Sequence, residues 1–141
     1  MSLYSPQLIA LAKDKTFVGK IDDATHSGRL SNPLCGDRID LDIRIETNRI
    51  EQIRHRTRGC ILCQASAHLL CERLEGLDLP DALSQAQHHI EGIAKLTTSD
   101  RAPLQLQPLE SLFDQLHTAP SRESCVALPW TLFQNQLTPT P

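Results

Sequence analysis

Cysteines are the residues best able to do chemistry in this chain, which has five of them among 141 residues. Three lie at predicted boundaries between elements: Cys35 in "SNPLCGDR", Cys60 in "RGCILCQAS" and Cys125 in "SRESCVALPW". Thiolates are ligands for zinc and for iron–sulfur clusters, and they also attack sulfur in thiol exchange. The three cysteines are therefore candidates for metal binding or for sulfur chemistry.

Cys60 and Cys63 form a Cys-x-x-Cys motif, which leaves two alternatives open. A thiol-disulfide oxidoreductase would use Cys60 and Cys63 as its active pair, because a helix start favours the thiolate at Cys60. No parallel βαβ unit is predicted around the motif, which counts against that reading. The second alternative is a purely structural zinc-binding module. Cys71, farther along the same helix, is predicted to be a buried small apolar side chain.

Hydrophobic spacing predicts the elements that position these cysteines. "PQLIALAK" indicates a short N-terminal helix, and "HSGRLSNP" a short edge strand. "RIDLDIRIE" alternates, with isoleucine and leucine on one face and charged residues on the other, which is typical of a half-buried strand. Thr47 and Asn48 suit a tight turn before the return strand "IEQIRHRT". Ile50 breaks the alternation, so a bulge is expected near the turn.

Helices dominate the chain after Cys60. Leu62, Ala65, Leu69, Leu70 and Leu74 form a helical stripe that ends before Gly76. "LPDALSQAQHHIEGI" is predicted to be a surface helix bearing His88 and His89, "TTSDRAPLQLQP" a linker, and "LESLFDQL" a further helical segment. A last helix follows Cys125, with Ser124 as its N-cap and a start delayed by Pro129. The tail over 136–141 is expected to be frayed.

Individual side chains outside the cysteine motifs receive structural interpretations. His55 is predicted to lie in the core on the apolar face of its strand, and Trp130 to anchor the last helix. Alternating arginines on the hairpin are interpreted as charges on a sheet face rather than as an RNA surface. Three arginines close in sequence to the candidate cysteines could offset negative charge there: Arg38, Arg58 and Arg122.

Composition excludes several classes of function. The formal net charge of -3 and the 4% aromatic content disfavour nucleic-acid binding. No apolar run approaches the length needed to span a bilayer, and the N-terminus lacks a secretory signal pattern. An odd number of cysteines is more typical of metal-binding or catalytic thiols in a reducing compartment than of a disulfide framework. We therefore expect a cytoplasmic protein that binds neither membrane nor nucleic acid.

The motifs "NPLCGD", "GCILCQAS" and "SCVALPW" resemble, in order and placement, the three cysteine motifs of the U-type iron–sulfur cluster assembly scaffolds, the IscU/SufU/NifU N-terminal family. The resemblance covers nearly the whole chain. It implies an α+β fold of the IscU/SufE-like kind, in which a small antiparallel sheet of about three strands packs against several α-helices. It also implies one NifU-like N-terminal domain over residues 1–141.

The resemblance further implies a site made of Cys35, Asp37, Cys60 and Cys125. Such a site would hold a transient iron–sulfur cluster, 2Fe-2S or 4Fe-4S, or Zn²⁺. Cys35 would accept persulfide sulfur from a SufS-type cysteine desulfurase, and downstream cluster carriers or apo-proteins would receive the product. The implied protein is a non-enzymatic scaffold, a sulfurtransferase, or both. Cys63 matches no ligand of the family.

Two departures from the family pattern indicate the branch. IscU-type members place a histidine directly before the third cysteine and a Leu-Pro-Pro-Val-Lys motif upstream, and both features are missing here. The long separation between Cys60 and Cys125 resembles that of SufU-type members, although these place a lysine where this chain has Ser124. The sequence therefore resembles the SufU-like branch most closely.

Overall fold

The computed structural model describes residues 4–34, 36–96, 113, 116 and 119–137. The described elements, in chain order, are α1 (Pro6–Lys13), β1 (His26–Ser31), β2 (Arg38–Glu46), β3 (Arg49–Arg58), α2 (Ile61–Leu74), α3 (Leu79–Lys95), a 3-10 helix (Pro120–Arg122) and α4 (Glu123–Leu137). The predicted α+β class, with a three-stranded antiparallel sheet against helices, is confirmed. The predicted linker "TTSDRAPLQLQP" lies outside the described residues, as does most of "LESLFDQL".

The sheet has the order β1-β2-β3, with antiparallel neighbours. Thr47 and Asn48 join β2 to β3 with φ angles of 53° and 60°, the left-handed conformation that a tight hairpin turn requires. Arg44 pairs with Gln52 while Ile45 pairs with Ile50, so one residue of β3 is left over. The predicted bulge next to the turn is confirmed, and it returns the isoleucines of both strands to the core face.

The polar face of β2 is less exposed than its alternation suggests. Asp40 and Asp42 were expected to face solvent, yet they are 9% and 6% exposed. Arg29 from β1 pairs with Asp40 at 2.5 Å, and Arg56 from β3 pairs with Asp42 at 3.2 Å. The arginines of the neighbouring strands therefore cover both carboxylates. Other hairpin arginines also form ion pairs: Arg44 with Asp23 and Glu46, Arg49 with Asp78, and Arg54 with Glu75.

Helix α2 is the centre of the fold. It packs against α1, α4 and β3, and it is buried around most of its circumference, including the polar residues Ser66 and His68. Ser66 donates to the carbonyl of Val126 at 2.5 Å and accepts from the indole N–H of Trp130 at 3.0 Å. These bonds satisfy a buried hydroxyl and fix α4 against α2. The prediction that Trp130 anchors the last helix is confirmed.

The structure agrees with the prediction for one histidine, His55, and contradicts it for another, His89. His55 is 4% exposed, as predicted, with Nδ1 at 2.8 Å from Thr57 Oγ1. Among the described residues its Nε2 has no hydrogen-bond partner. His89 was predicted to lie on a surface helix, but it is 5% exposed and packs on Trp130 with ring centroids 5.0 Å apart. The expectation was wrong because α4 covers that side of α3.

The last helix also departs from expectation. α4 begins at Glu123 directly after the 3-10 helix, so Ser124 lies inside its first turn and is not the N-cap. Pro129 lies within the helix rather than delaying its start. Residues 136 and 137, placed in the frayed tail, belong to its last turn, and 138–141 lie outside the described residues. None of the described helices is long and apolar enough to cross a membrane.

Candidate metal and sulfur site

Three of the predicted site residues meet at one end of the sheet. Asp37 lies directly before β2, Cys60 lies between β3 and α2, and Cys125 lies in the first turn of α4. One ligand atom from each, a carboxylate oxygen and two sulfurs, lies within 4.8 Å of the other two. Cys63 is described as well and does not belong to this group. The structure thus brings together residues distant in sequence, while Cys35 lies outside the described residues.

Asp37 is held against Cys60. Its carboxylate is buried, with Oδ1 accepting the Cys60 backbone N–H and Oδ2 accepting the Cys60 thiol, each at 3.2 Å. This approach depends on Gly59, because a Cβ at that position would lie only 2.5 Å from Asp37 Oδ1. Real Cβ atoms do not approach heavy atoms so closely, and the buried carboxylate would have to move. The Gly-Cys sequence at the start of α2 is therefore a steric requirement of the site.

Burial raises the pKa of the Cys60 thiol above its ordinary value, and the neighbouring Asp37 carboxylate raises it further. The backbone N–H of Cys63 and the Cys125 side chain lower the Cys60 pKa, but by less than burial and Asp37 raise it. The expected effect of the helix start is present, since the Cys63 N–H lowers the Cys60 pKa, but burial outweighs it in the metal-free protein. A metal cation bound between Cys60, Cys125 and Asp37 would instead lower the pKa of the Cys60 thiol, because metal coordination requires and stabilises the thiolate.

Arg122 supplies positive charge beside the two cysteines. Its pKa is raised by Tyr4, by a hydrogen bond with Cys125 and by the nearby Cys60. The sequence prediction that Arg122 could offset negative charge at the site agrees with this placement. Arg38 and Arg58 face each other across the β2-β3 ladder.

The first cysteine motif is organised by Asn32, which is 7% exposed. Its backbone N–H donates to the Asp37 carbonyl and its own carbonyl accepts from Gly36 N–H, both at 2.8 Å. Its side chain accepts from Leu34 N–H at 3.1 Å and donates to Ser124 Oγ at 2.7 Å. The sequence reasoning missed Asn32 and Ser124 as contributors to the site, although both stand inside the motifs that it quoted.

Leu34 and Gly36 flank Cys35 in this loop. Gly36 has a φ of 77°, a conformation that favours glycine. The Leu34 side chain is 90% exposed.

The remaining cysteines are in the core. Cys63 and Cys71 are both fully buried, and burial strongly raises the pKa of Cys71. The predicted apolar role of Cys71 agrees with its surroundings. Cys60 contacts Asp37 and lies beside Cys125, whereas Cys63 is enclosed by the core, so the geometry disfavours Cys60 and Cys63 as a working redox pair.

The donor set suits a thiophilic metal centre. Two thiols and a carboxylate are zinc ligands, and thiolates also ligate iron–sulfur clusters. Three such atoms within 4.8 Å of one another lie close enough to share one metal ion. Zinc sites of this kind usually have four ligands, and the described residues supply three of them. The described residues therefore fit zinc, and the same donors fit a cluster as cargo.

Comparison with known proteins identifies the family: residues 3–106 match the NifU-like N terminal domain, and the chain belongs to that family. It is 29% identical over 135 residues to the iron-sulfur cluster assembly scaffold protein IscU of Thermotoga maritima, covering 96% of this chain and 92% of that one. It is 28% identical over 101 residues to the zinc-dependent sulfurtransferase SufU of Bacillus subtilis, covering 72% of this chain and 67% of that one.

A solved structure has the same fold. The putative iron-sulfur cluster assembly scaffold protein for the SUF system from Fervidobacterium islandicum superposes with a TM-score of 0.82 at 26% identity, covering 96% of this chain and 97% of that one. The IscU/SufU-type fold that the three motifs implied is therefore confirmed.

Proposed function

We propose that this chain is an iron–sulfur cluster assembly protein of the SUF type, which serves as scaffold for a nascent cluster, as zinc-dependent acceptor of persulfide sulfur from a cysteine desulfurase, or as both. The observation that carries the proposal is the convergence of Asp37, Cys60 and Cys125 in a chain of the NifU-like family. The relatives named as scaffold and as sulfurtransferase support the two activities.

Cys35, Asp37, Cys60 and Cys125 are the proposed ligands. Bound zinc would keep the cysteines deprotonated at neutral pH, although the Cys60 pKa is raised in the metal-free protein. Arg122 offsets part of the negative charge that three thiolates and a carboxylate bring together. A cluster under assembly, either 2Fe-2S or 4Fe-4S, is the proposed cargo of the same donors.

Sulfur acceptance is assigned to Cys35. Its thiolate attacks the outer sulfur of a persulfide on the donor's cysteine, forming one sulfur–sulfur bond while the donor's own sulfur–sulfur bond breaks. The donor cysteine leaves as a thiolate, and the transferred sulfur remains on Cys35 as a persulfide. A SufS-type desulfurase is the proposed donor, and cluster carriers or apo-proteins are the proposed recipients. The reaction requires reduced thiols, so we place it in the cytoplasm.

Asp37 is proposed as the ligand that leaves when cargo is released. A carboxylate binds soft metal centres more weakly than a thiolate does, and here the Cys60 backbone N–H is already an alternative partner for it. Asp37→Ala should therefore change both the lifetime of a bound cluster and its transfer rate to an apo-protein. Unchanged values for both would contradict this role.

The deciding experiment measures zinc, iron and acid-labile sulfide per chain in anaerobically purified protein. Wild type is compared with Cys60→Ser and with Cys63→Ser, a matched control one helical turn away. Iron with sulfide that is lost only in Cys60→Ser supports the scaffold, and zinc lost in the same pattern supports the sulfur acceptor. Absence of metal from wild type, or equal loss in both variants, would refute the proposed site.

Sulfur acceptance is tested separately with a desulfurase and cysteine. Mass spectrometry of the cysteine-containing peptides should show persulfide on wild type and none on Cys35→Ser, with Cys71→Ser as the control that retains it. Persulfide that persists on Cys35→Ser would remove Cys35 from its role. Bound zinc without any persulfide on wild type would favour the structural zinc module.

A further inference from the structure

One hydrogen bond joins the two ends of the candidate site. Asn32 begins the loop that ends at Asp37, and Ser124 directly precedes Cys125 in α4. The Asn32 side-chain amide donates to Ser124 Oγ at 2.7 Å. The bond therefore connects two motifs that are 92 residues apart in the sequence.

Asn32 also forms hydrogen bonds with three residues of the loop. Its other three hydrogen-bonding groups are engaged by Leu34, Gly36 and Asp37, at distances of 2.8 to 3.1 Å. Because Asn32 is 7% exposed, an amide deprived of Ser124 would lose an acceptor at a site with little access to water. The Ser124 hydroxyl is therefore the acceptor through which the Asn32 side chain binds α4.

Ser124 itself is exposed, in contrast to its partner. A hydroxyl is a poor ligand for soft metals, so Ser124 does not compete with the cysteines for cargo. Its bond to Asn32 is part-buried, because it joins this exposed hydroxyl to a buried amide. A single hydrogen bond of this kind is strong enough to favour the position of the loop beside α4 and weak enough to break reversibly.

We propose that Ser124 is a positioning residue, whose hydrogen bond to Asn32 holds the loop ending at Asp37 against the first turn of α4 and thereby limits the rate at which the site opens. Its consequence for release of metal rests on the proposed function. Its consequence for the loop does not.

The test compares Ser124→Ala with Ser124→Thr, which retains the hydroxyl, and with Ser121→Ala, a matched serine change in the adjacent 3-10 helix. Zinc-loaded protein is mixed with an excess of chromophoric chelator. A lost neutral hydrogen bond predicts release about threefold to tenfold faster from Ser124→Ala. The release rates of Ser124→Thr and Ser121→Ala should stay within about twofold of the wild-type rate, because both variants keep the hydrogen bond.

A second measurement separates positioning from general stability. In metal-free protein, amide hydrogen exchange at Leu34 and Gly36 should accelerate in Ser124→Ala while exchange in β2 and β3 stays unchanged. Equal exchange at those two amides in wild type and Ser124→Ala would overturn the proposal, and so would a uniform increase across the sheet. If wild type binds neither zinc nor cluster, the proposed function fails, and the exchange measurement still decides the role of Ser124.

Discussion

At the scale of single residues, Asp37 and Gly59 determine the geometry at the start of α2. The carboxylate contacts both the backbone N–H and the thiol of Cys60, and it reaches them only because Gly59 has no side chain. Cys60, a proposed ligand, and its carboxylate neighbour are therefore positioned by a residue that itself has no side chain.

Gly59→Ala is expected to weaken zinc binding on the order of tenfold or more, because the added methyl displaces the Asp37 carboxylate. Competition titration against a chelator measures the affinity. Gly28→Ala is the matched control, since its Cβ would meet only the flexible end of Gln136, at 3.0 Å. Equal affinities for wild type and Gly59→Ala would show that the carboxylate does not contribute to binding.

At the scale of elements, the β2-β3 hairpin positions the site from both ends of its strands. β2 begins directly after Asp37 and β3 ends directly before Gly59 and Cys60, so the register of this pair determines how the two groups meet. The turn at the far end helps to fix that register, and it places the β-branched Thr47 in a left-handed conformation.

Thr47→Gly should raise the free energy of unfolding by roughly 1 kcal/mol, because glycine adopts a positive φ without the steric penalty of threonine. Asn48→Ala should lower it by a similar amount, since alanine tolerates that conformation less well than asparagine. Urea denaturation of metal-free protein measures both changes. Destabilisation by Thr47→Gly would contradict the interpretation of the turn.

Local patterns predicted the elements well and their surroundings less well. The alternation of β2, the bulge signalled by Ile50 and the helix start after Cys60 depend on neighbouring residues and were correct. Burial of His89 and of the β2 carboxylates depends on which element lies alongside, which no local pattern contains. For the same reason, the spacing of the motifs could not predict that Asp37, Cys60 and Cys125 meet. Only the family resemblance predicted it.

At the scale of the whole molecule, a buried histidine links stability to pH. Burial lowers the pKa of His55 from 6.5 to about 4, and the charges of His68, Lys15 and Arg56 act in the same direction. The unfolded chain therefore takes up this proton at a higher pH than the folded one does. The contribution of His55 to stability is present above pH 6.5 and is lost as the pH falls toward 4.

Metal-free protein should lose up to about 1.4 kcal/mol of unfolding free energy per pH unit through this group below pH 6.5. His55→Gln should flatten the dependence between pH 6.5 and 4, whereas His88→Gln, an exposed histidine, should leave it unchanged. Urea denaturation at several pH values provides the comparison. The same slope in wild type and His55→Gln would assign the acid sensitivity to other groups.

The contact between Asp37 and Gly59 also restricts how such a chain can evolve. Gly59 does not have the positive φ that would require glycine for conformational reasons, so the space taken by the carboxylate is what excludes a side chain. A larger residue at position 59 becomes admissible only after position 37 has shortened or turned away. The two positions, far apart in sequence, are thus expected to co-vary among related chains. Loss of the carboxylate at position 37 would be the change that allows a residue other than glycine at position 59.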